Sequence, residues 1–134
     1  MMYADLMFIL RYWLPVVLYA GLITYLSSLS STGVEVPSFF FGLEDKVIHA
    51  IEYGIFGILW YRAYDAAAGR TVASYATILA ILSASLFGMT DEIHQYFVPL
   101  RHADVWDLVA DTIGAIVGVR LWQTYSVSHR SIRA

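Results

Sequence analysis

Four long apolar windows dominate this sequence, at about residues 8–29, 46–64, 71–89 and 105–125. Each approaches the roughly 20 mostly apolar residues that a helix needs to cross the hydrocarbon core of a bilayer. The hydrophobic fraction is 59% and the charged fraction only 14%, against roughly 25% charged residues in a soluble domain. The sequence therefore predicts an all-α membrane protein, a four-helix transmembrane bundle in a single domain over residues 1–134.

The connections between the windows are short, which predicts antiparallel neighbours. The longest, at 30–45, contains Gly33, Pro37 and Gly42 as helix breakers, and its three phenylalanines at 39–41 predict a dip into the membrane interface. Pro15 lies inside the first window and is tolerated in a membrane helix. We expect the first window to remain a helix of the protein rather than a cleaved signal, because no small-residue cleavage site follows it.

Basic residues fall mainly on one side of the predicted bundle. With four spans, both termini and the second connection share a side that has six arginines, whereas the other side has two basic residues. Cytoplasmic loops are enriched in Lys and Arg, so the prediction is an N-in/C-in topology. The six are Arg11, Arg62, Arg70, Arg120, Arg130 and Arg133, and the two are Lys46 and Arg101.

Acidic residues gather on the opposite, extracytoplasmic side. At the start of the second window, Asp45, His49, Glu52 and Tyr53 are three or four residues apart or adjacent, with Lys46 beside them. Side chains at these spacings share one helix face. The second window therefore presents a polar stripe that runs inward from the outer surface.

The fourth window repeats the arrangement with Asp104, Asp107 and Asp111. The connection before it adds further polar side chains, which are Asp91, Glu92, His94, Gln95 and Arg101. Asp91, His94 and Gln95 would share one helix face if the third helix continued past Thr90. Because a lipid-facing carboxylate is costly, on the order of 3 kcal/mol at the centre of a helix, these acids should face the bundle interior or a water-filled pocket.

Three interpretations of these polar residues stay open. The residues could form structural ion pairs. They could instead form a metal site made by His49, Glu52, Asp91 and His94. The third interpretation is a pocket for a polar head group in which Arg101 and Lys46 hold the anion. The sequence shows no diagnostic zinc spacing and predicts no cofactor. The predicted binding residues are Asp45, Lys46, His49, Tyr53, Asp91, Glu92, Gln95, Arg101, Asp107 and Asp111. The candidates for proton transfer are His49, Glu52, Asp91 and Glu92.

Small residues recur at helical spacing on the third and fourth windows and predict close helix packing, within the chain or between copies in a homo-oligomer. They are Ala73, Thr77, Ala80, Ala84 and Gly88, then Ala110, Gly114 and Gly118. The expected partner is the lipid bilayer. A net charge of −3 argues against nucleic acid.

Two segments resemble the VanZ-like family. Residues 45–53 are similar to its D-K-x-x-H-x-x-x-Y segment, and residues 91–101 to its D-E-x-x-Q-x-x-x-P-x-R segment. Asp107, Gly114 and Gly118 match its last helix, and the resemblance covers about residues 14–121. Leu100 stands where glycine is usual, and Asp111 where asparagine is usual.

The resemblance implies a small multi-spanning protein of the bacterial cytoplasmic membrane, in a family named after a protein linked to teicoplanin resistance. Our leading hypothesis is binding of, or action on, a lipid head group or lipid-linked envelope precursor at the outer interface. The alternatives are a non-enzymatic accessory protein that docks another envelope protein, and a small transporter. The sequence leaves open whether a reaction is catalysed.

Overall fold

Helices form all the regular structure that can be described. The computed structural model describes residues 2–29, 43–66, 70–99 and 101–132, and no strand occurs among them. The elements are α1 (Met2–Phe8), a π-helical segment (Ile9–Trp13), α2 (Leu14–Ser27), α3 (Leu43–Ala66), α4 (Arg70–Ser74), α5 (Ala76–Tyr96) and α6 (Val105–Ile132). The all-α prediction is confirmed. The predicted interfacial dip at 39–41 lies outside the described residues.

The first apolar window is one helical rod with a π-helical turn just before Pro15. Proline has no N–H to donate to the carbonyl four residues earlier, and its ring collides with that carbonyl. The helix forms a wider, π-helical turn there, in which the N–H of Leu14 donates to the carbonyl oxygen of Ile9, five residues earlier. The proline is thereby accommodated within the rod, as the sequence predicts.

The third window extends further than predicted. Helix α5 ends at Tyr96 rather than near Met89, so Thr90 to Tyr96 are helical and do not belong to the connection. The charges of Asp91 and Glu92 suggested an earlier end, but both side chains are buried between helices. Tyr75 interrupts the other end of this window, where it separates α4 from α5.

Helix α3 is the centre of the bundle. It packs most extensively against α6, also against α5, and less against α2. Its backbone approaches α6 so closely that a Cβ atom at Gly114 would lie 2.1 Å from the carbonyl oxygen of Ala50, and one at Gly118 would lie 2.2 Å from that of Gly54. Only glycine fits at these two positions of α6. The small-residue row that contains them therefore packs against α3 of the same chain.

Large apolar side chains cover the outside of the bundle, while polar ones lie within it. Exposed examples are Val17, Leu18, Leu82, Leu86 and Leu121. Two helices of the described chain are long and apolar enough to cross a membrane, Leu6–Ser27 and Ala76–Tyr96. Helices α3 and α6 do not meet that criterion; charged residues lie inside both, Glu52 and Arg62 in α3 and Asp111 and Arg120 in α6.

Candidate functional site

A polar cluster occupies the end of the bundle where α2 and α5 finish and where α3 and α6 begin. Four helices contribute to it, and most of its side chains are withdrawn from the surface. We define the polar cluster as the buried residues Ser27, His49, Asp91, Glu92, Gln95, Asp107 and Asp111 with the buried Tyr53 and the partly exposed Lys46, Glu52, Arg101 and Asp104.

Lys46 joins α3 to the start of α6. Its Nζ donates to Asp104 Oδ2 at 2.6 Å and to the buried Asp107 Oδ1, while Asp45 Oδ2 lies 3.9 Å away. The two acids of α6 thus compensate the ammonium charge within the protein. The polar stripes of the second and fourth windows therefore meet at Lys46, which has little capacity left to hold an external anion.

Asp104 also begins α6. Its Oδ1 accepts a hydrogen bond from the backbone N–H of Trp106 at 2.9 Å, and its carbonyl accepts one from Asp107 N–H at 2.9 Å. Such a side chain satisfies one of the free donors at a helix start. The hydrogen bond from Lys46 lowers the pKa of the Asp104 carboxyl below its ordinary value of 3.8.

His49 pairs with Asp111, one turn further into the bundle. His49 Nδ1 and Asp111 Oδ1 are hydrogen-bonded at 2.9 Å, and Asp111 is 1% exposed. Gly88 of α5 makes room for this carboxylate, because a Cβ at Gly88 would lie 2.8 Å from Asp111 Oδ2. The sequence predicted both residues in the site, and the structure shows that they contact each other.

Asp91 links α5 to α2 through Ser27. The hydroxyl of Ser27 donates to Asp91 Oδ1 at 2.6 Å, and Gln95 Nε2 donates to Asp91 Oδ2 at 3.0 Å. Next to this pair, Ser28 Oγ lies 2.9 Å from His94 Nε2, on the exposed side. Ser27 is not among the predicted binding residues, because its partner is 64 residues away and no local spacing connects the two.

Several buried polar atoms of the cluster have no hydrogen-bond partner within the described part of the chain. They are Glu92 Oε1, Asp111 Oδ2, the Tyr53 hydroxyl and Arg101 Nε. The other oxygen of Glu92, Oε2, accepts from Asp104 N–H at 2.8 Å. Unpaired groups of this kind are uncommon in folded proteins, and each calls for an explanation.

Glu52 lies in the same electrostatic neighbourhood. It is close enough to His49, Asp91, Asp111 and Arg101 for their charges to act on its carboxyl group. Arg101 comes from the connection before α6, and Glu52 comes from α3. Asp45, in contrast, is exposed at the edge of the cluster.

An apolar groove adjoins the cluster. It encloses about 400 Å³ between the end of α5 and the start of α6. Its polar members are Glu92 and Asp104. The remaining lining residues are Met89, Ile93, Tyr96, Phe97, Ala103, Val105 and Leu108.

The grouping of potential metal ligands differs from the predicted set. Among the described residues, ligand atoms lie within 4.8 Å of one another in two groups, Asp45 with His49 and Asp107, and His49 with Glu92 and Asp111. Glu52, Asp91 and His94 belong to neither group. Helical spacing places residues on a face, but it does not say which faces of separate helices meet.

The comparisons with known proteins identify the family. No curated protein and no solved structure matches the chain. The family model VanZ/LLP1 matches residues 9–126, which include every residue of the polar cluster. With its two long apolar helices, the match indicates a membrane protein. The chain belongs to the VanZ/LLP1 family.

Proposed function

We propose that this chain is a four-span protein of the bacterial cytoplasmic membrane that binds a lipid or lipid-linked envelope component from the extracytoplasmic side. In this proposal both termini are cytoplasmic, and the polar cluster lies at the outer interface. The arginine distribution supports the orientation. Membership of the VanZ/LLP1 family supports a role in the cell envelope. The proposed role includes a link to resistance to glycopeptides, teicoplanin in particular.

The exposed faces of α3 and α6 support four spans. At 24 and 28 residues, these helices are about 36 and 42 Å long, which exceeds the roughly 30 Å of a bilayer core. Their charges lower the average hydropathy, but Lys46, His49, Asp107 and Asp111 point toward other helices. The outward residues are apolar, among them Val47, Ile51, Ile55, Ile113, Val117 and Leu121.

The observation that carries the binding proposal is the junction of the apolar groove with the polar cluster. A groove lined by Ile93, Phe97 and Leu108 suits an acyl or isoprenoid chain, while Glu92 and Asp104 at its polar side adjoin the buried cluster. A ligand that is apolar along its length and polar at one end matches both parts. Sites for such ligands are typically apolar with a few convergent polar groups.

Within this site we assign the anion contact to Arg101. Lys46 is engaged by two carboxylates, whereas Arg101 Nε has no partner among the described residues. A guanidinium presents a planar pair of donors to a phosphate or carboxylate. His49, Glu52 and Glu92 are then within the cluster to exchange hydrogen bonds or protons with the head group.

Photo-crosslinking in cells tests this proposal. A benzophenone amino acid is introduced at Ile93 in the groove, and at Val47 on the lipid-facing side of α3 as the control. The two positions match in exposure, 55% each, and both lie near the proposed outer ends of their helices. We expect one lipid class to be enriched in adducts from Ile93 relative to Val47, and the enrichment to disappear in an Arg101→Gln background. Identical lipid profiles at the two positions would overturn the proposal.

The second candidate is an accessory protein whose polar cluster is structural. The hydrogen bonds that Asp91 accepts favour it, since the one from Ser27 joins α2 to α5 and the one from Gln95 lies within α5. It predicts that Asp91→Asn and Arg101→Gln reduce membrane abundance alike, and that Ile93 crosslinks to another protein. The binding proposal predicts normal abundance for Arg101→Gln, so a quantitative blot separates the two.

A further inference from the structure

We propose that His49, Glu92 and Asp111 bind one divalent cation of the Zn²⁺ or Mn²⁺ type inside the bundle. The three residues come from α3, α5 and α6, so the ion would join the three most closely packed helices. The inference shares His49 and Glu92 with the lipid proposal, but it does not depend on that proposal, because metal retention is measured on the purified chain without an added lipid.

The geometry suits a metal ion. One ligand atom from each residue lies within 4.8 Å of those from the other two, and the residues are 7%, 7% and 1% exposed. The 2.9 Å between His49 Nδ1 and Asp111 Oδ1 is a hydrogen-bond distance. Two atoms this close can also bind one cation after a small side-chain shift, because bonds from zinc to nitrogen and oxygen are about 2.0–2.2 Å long.

A second, independent observation points to a ligand at this place. Glu92 Oε1 and Asp111 Oδ2 are buried without a hydrogen-bond partner in the described part of the chain. The hydroxyl of Tyr53, a residue that is 0% exposed, is also unpaired there. Asp111 Oδ2 and the Tyr53 ring edge both approach Gly88. A cation with its bound water would engage the carboxylates directly and give the phenol a partner.

The charges of the residues around the site also favour a bound cation. Lys46 is engaged by Asp104 and Asp107, so its charge is already used at the rim of the cluster. Uncompensated carboxylates inside a protein are costly, and a divalent cation offsets the charge of Glu92 and Asp111 together. Imidazole with carboxylate is a ligand set that suits Zn²⁺ and Mn²⁺. The neighbouring group of Asp45, His49 and Asp107 is less suitable, because Asp45 is exposed and Asp107 binds Lys46.

Metal retention by the purified full-length chain tests the site. The protein carries a streptavidin-binding tag instead of a histidine tag, is treated with EDTA in detergent, receives Zn²⁺ or Mn²⁺ alone, and is passed through gel filtration. Elemental analysis then gives the metal per chain. We expect one ion for the unaltered chain and for the controls His94→Ala and His102→Ala, which remove histidines outside the group.

Asp111→Asn, Glu92→Gln and His49→Gln should each lose the ion. The affinity for the metal ion should fall by more than the loss of about 10–100-fold that is typical when the substituted residue only supports a metal ligand. A variant counts only if its gel-filtration profile matches that of the unaltered chain, and the three substitutions provide for failure of any one to fold. Absence of a retained ion in the unaltered chain, or equal retention in all variants, would overturn the proposal. Loss in His94→Ala alone would equally overturn it.

Discussion

Asp104 combines a helix cap and an ion pair in one exposed side chain. Its hydrogen bond with Lys46 lowers the pKa of its carboxyl in the folded protein below the ordinary value of 3.8. A carboxyl with a lowered folded pKa stabilises the fold fully above its unfolded pKa, and this contribution disappears as pH falls through the folded pKa. We therefore expect Asp104→Asn to lower the melting temperature at pH 7, with a difference that shrinks below about pH 4.

Thermal unfolding in detergent from pH 7 to pH 3, with the unaltered chain and Asp104→Asn in parallel, checks this expectation. Because the pair is partly exposed, salt should reduce the same difference. A difference that stays constant over the whole pH range would show that the ion pair with Lys46 does not contribute to stability, since asparagine keeps the capping oxygen.

Lys46 offers a second test at this scale. Lys46→Met removes the cation that holds Asp104 and the buried Asp107, so we expect marked destabilisation. Adding Asp107→Asn removes the carboxylate charge that Lys46→Met leaves without its partner. The double variant should therefore be destabilised by about 0.5–3 kcal/mol less than the sum of the two single effects. A double-mutant cycle by thermal unfolding measures the coupling, and Arg120→Met, an exposed arginine of α6, is the control. Simple additivity would contradict the contact.

At the residue scale, the sequence predicts which side chains face the bundle interior better than it predicts which of them contact each other. Helical spacing placed His49 and Asp111 on inward faces, and both are there. It could not indicate that they contact each other, because that depends on the rotation and depth of two helices whose facing residues are 62 positions apart. Ser27 and Asp91 are a further case, since nothing near either residue in the chain points to the other.

At the scale of elements, the contact between α3 and α6 depends on glycine. A Cβ at Gly114 would lie 2.1 Å from the backbone oxygen of Ala50, which no side-chain rotation can relieve. Gly114→Ala should therefore separate the helices and destabilise the bundle by about 1–3 kcal/mol, as overpacking does elsewhere. Membrane abundance and the melting temperature in detergent measure the effect.

The matched control is Gly21→Ala in α2, where an added Cβ meets nothing within 4 Å. It should leave both readouts unchanged or slightly improved, because alanine favours a helix over glycine. If both variants behave alike, the close approach at Gly114 is not what holds α3 and α6 together.

The limits of prediction for elements have a physical cause. A run of charges usually ends an apolar helix, so the sequence predicted that the third window stops near Met89. In the structure α5 continues to Tyr96. Within this last part of the helix, Gln95 donates to Asp91, and Asp91 accepts a hydrogen bond from Ser27 of α2. Tertiary hydrogen bonds thus sustain a segment whose composition alone resembles a loop.

At the scale of the whole molecule, the distribution of polarity is reversed from that of a soluble protein. Among the described residues, seven polar or charged ones are buried, while large apolar residues such as Leu18, Leu86 and Leu121 are exposed. Exposed apolar surface on this scale marks contact with a membrane or partner. It is this reversal, more than the hydropathy of any one helix, that makes four spans the arrangement we propose.

Absence of native cysteine allows a direct test of that topology. Single cysteines at His102, Thr71 and Val127, all exposed, report on the α5–α6 connection, on α4 and on the end of α6. In intact cells, a membrane-impermeant maleimide should label only His102→Cys, whereas Thr71→Cys and Val127→Cys should react only after permeabilisation. The opposite pattern would place the polar cluster on the cytoplasmic side. Labelling of both His102→Cys and Val127→Cys from outside would mean that α6 does not cross the membrane, and the four-span arrangement would then be wrong.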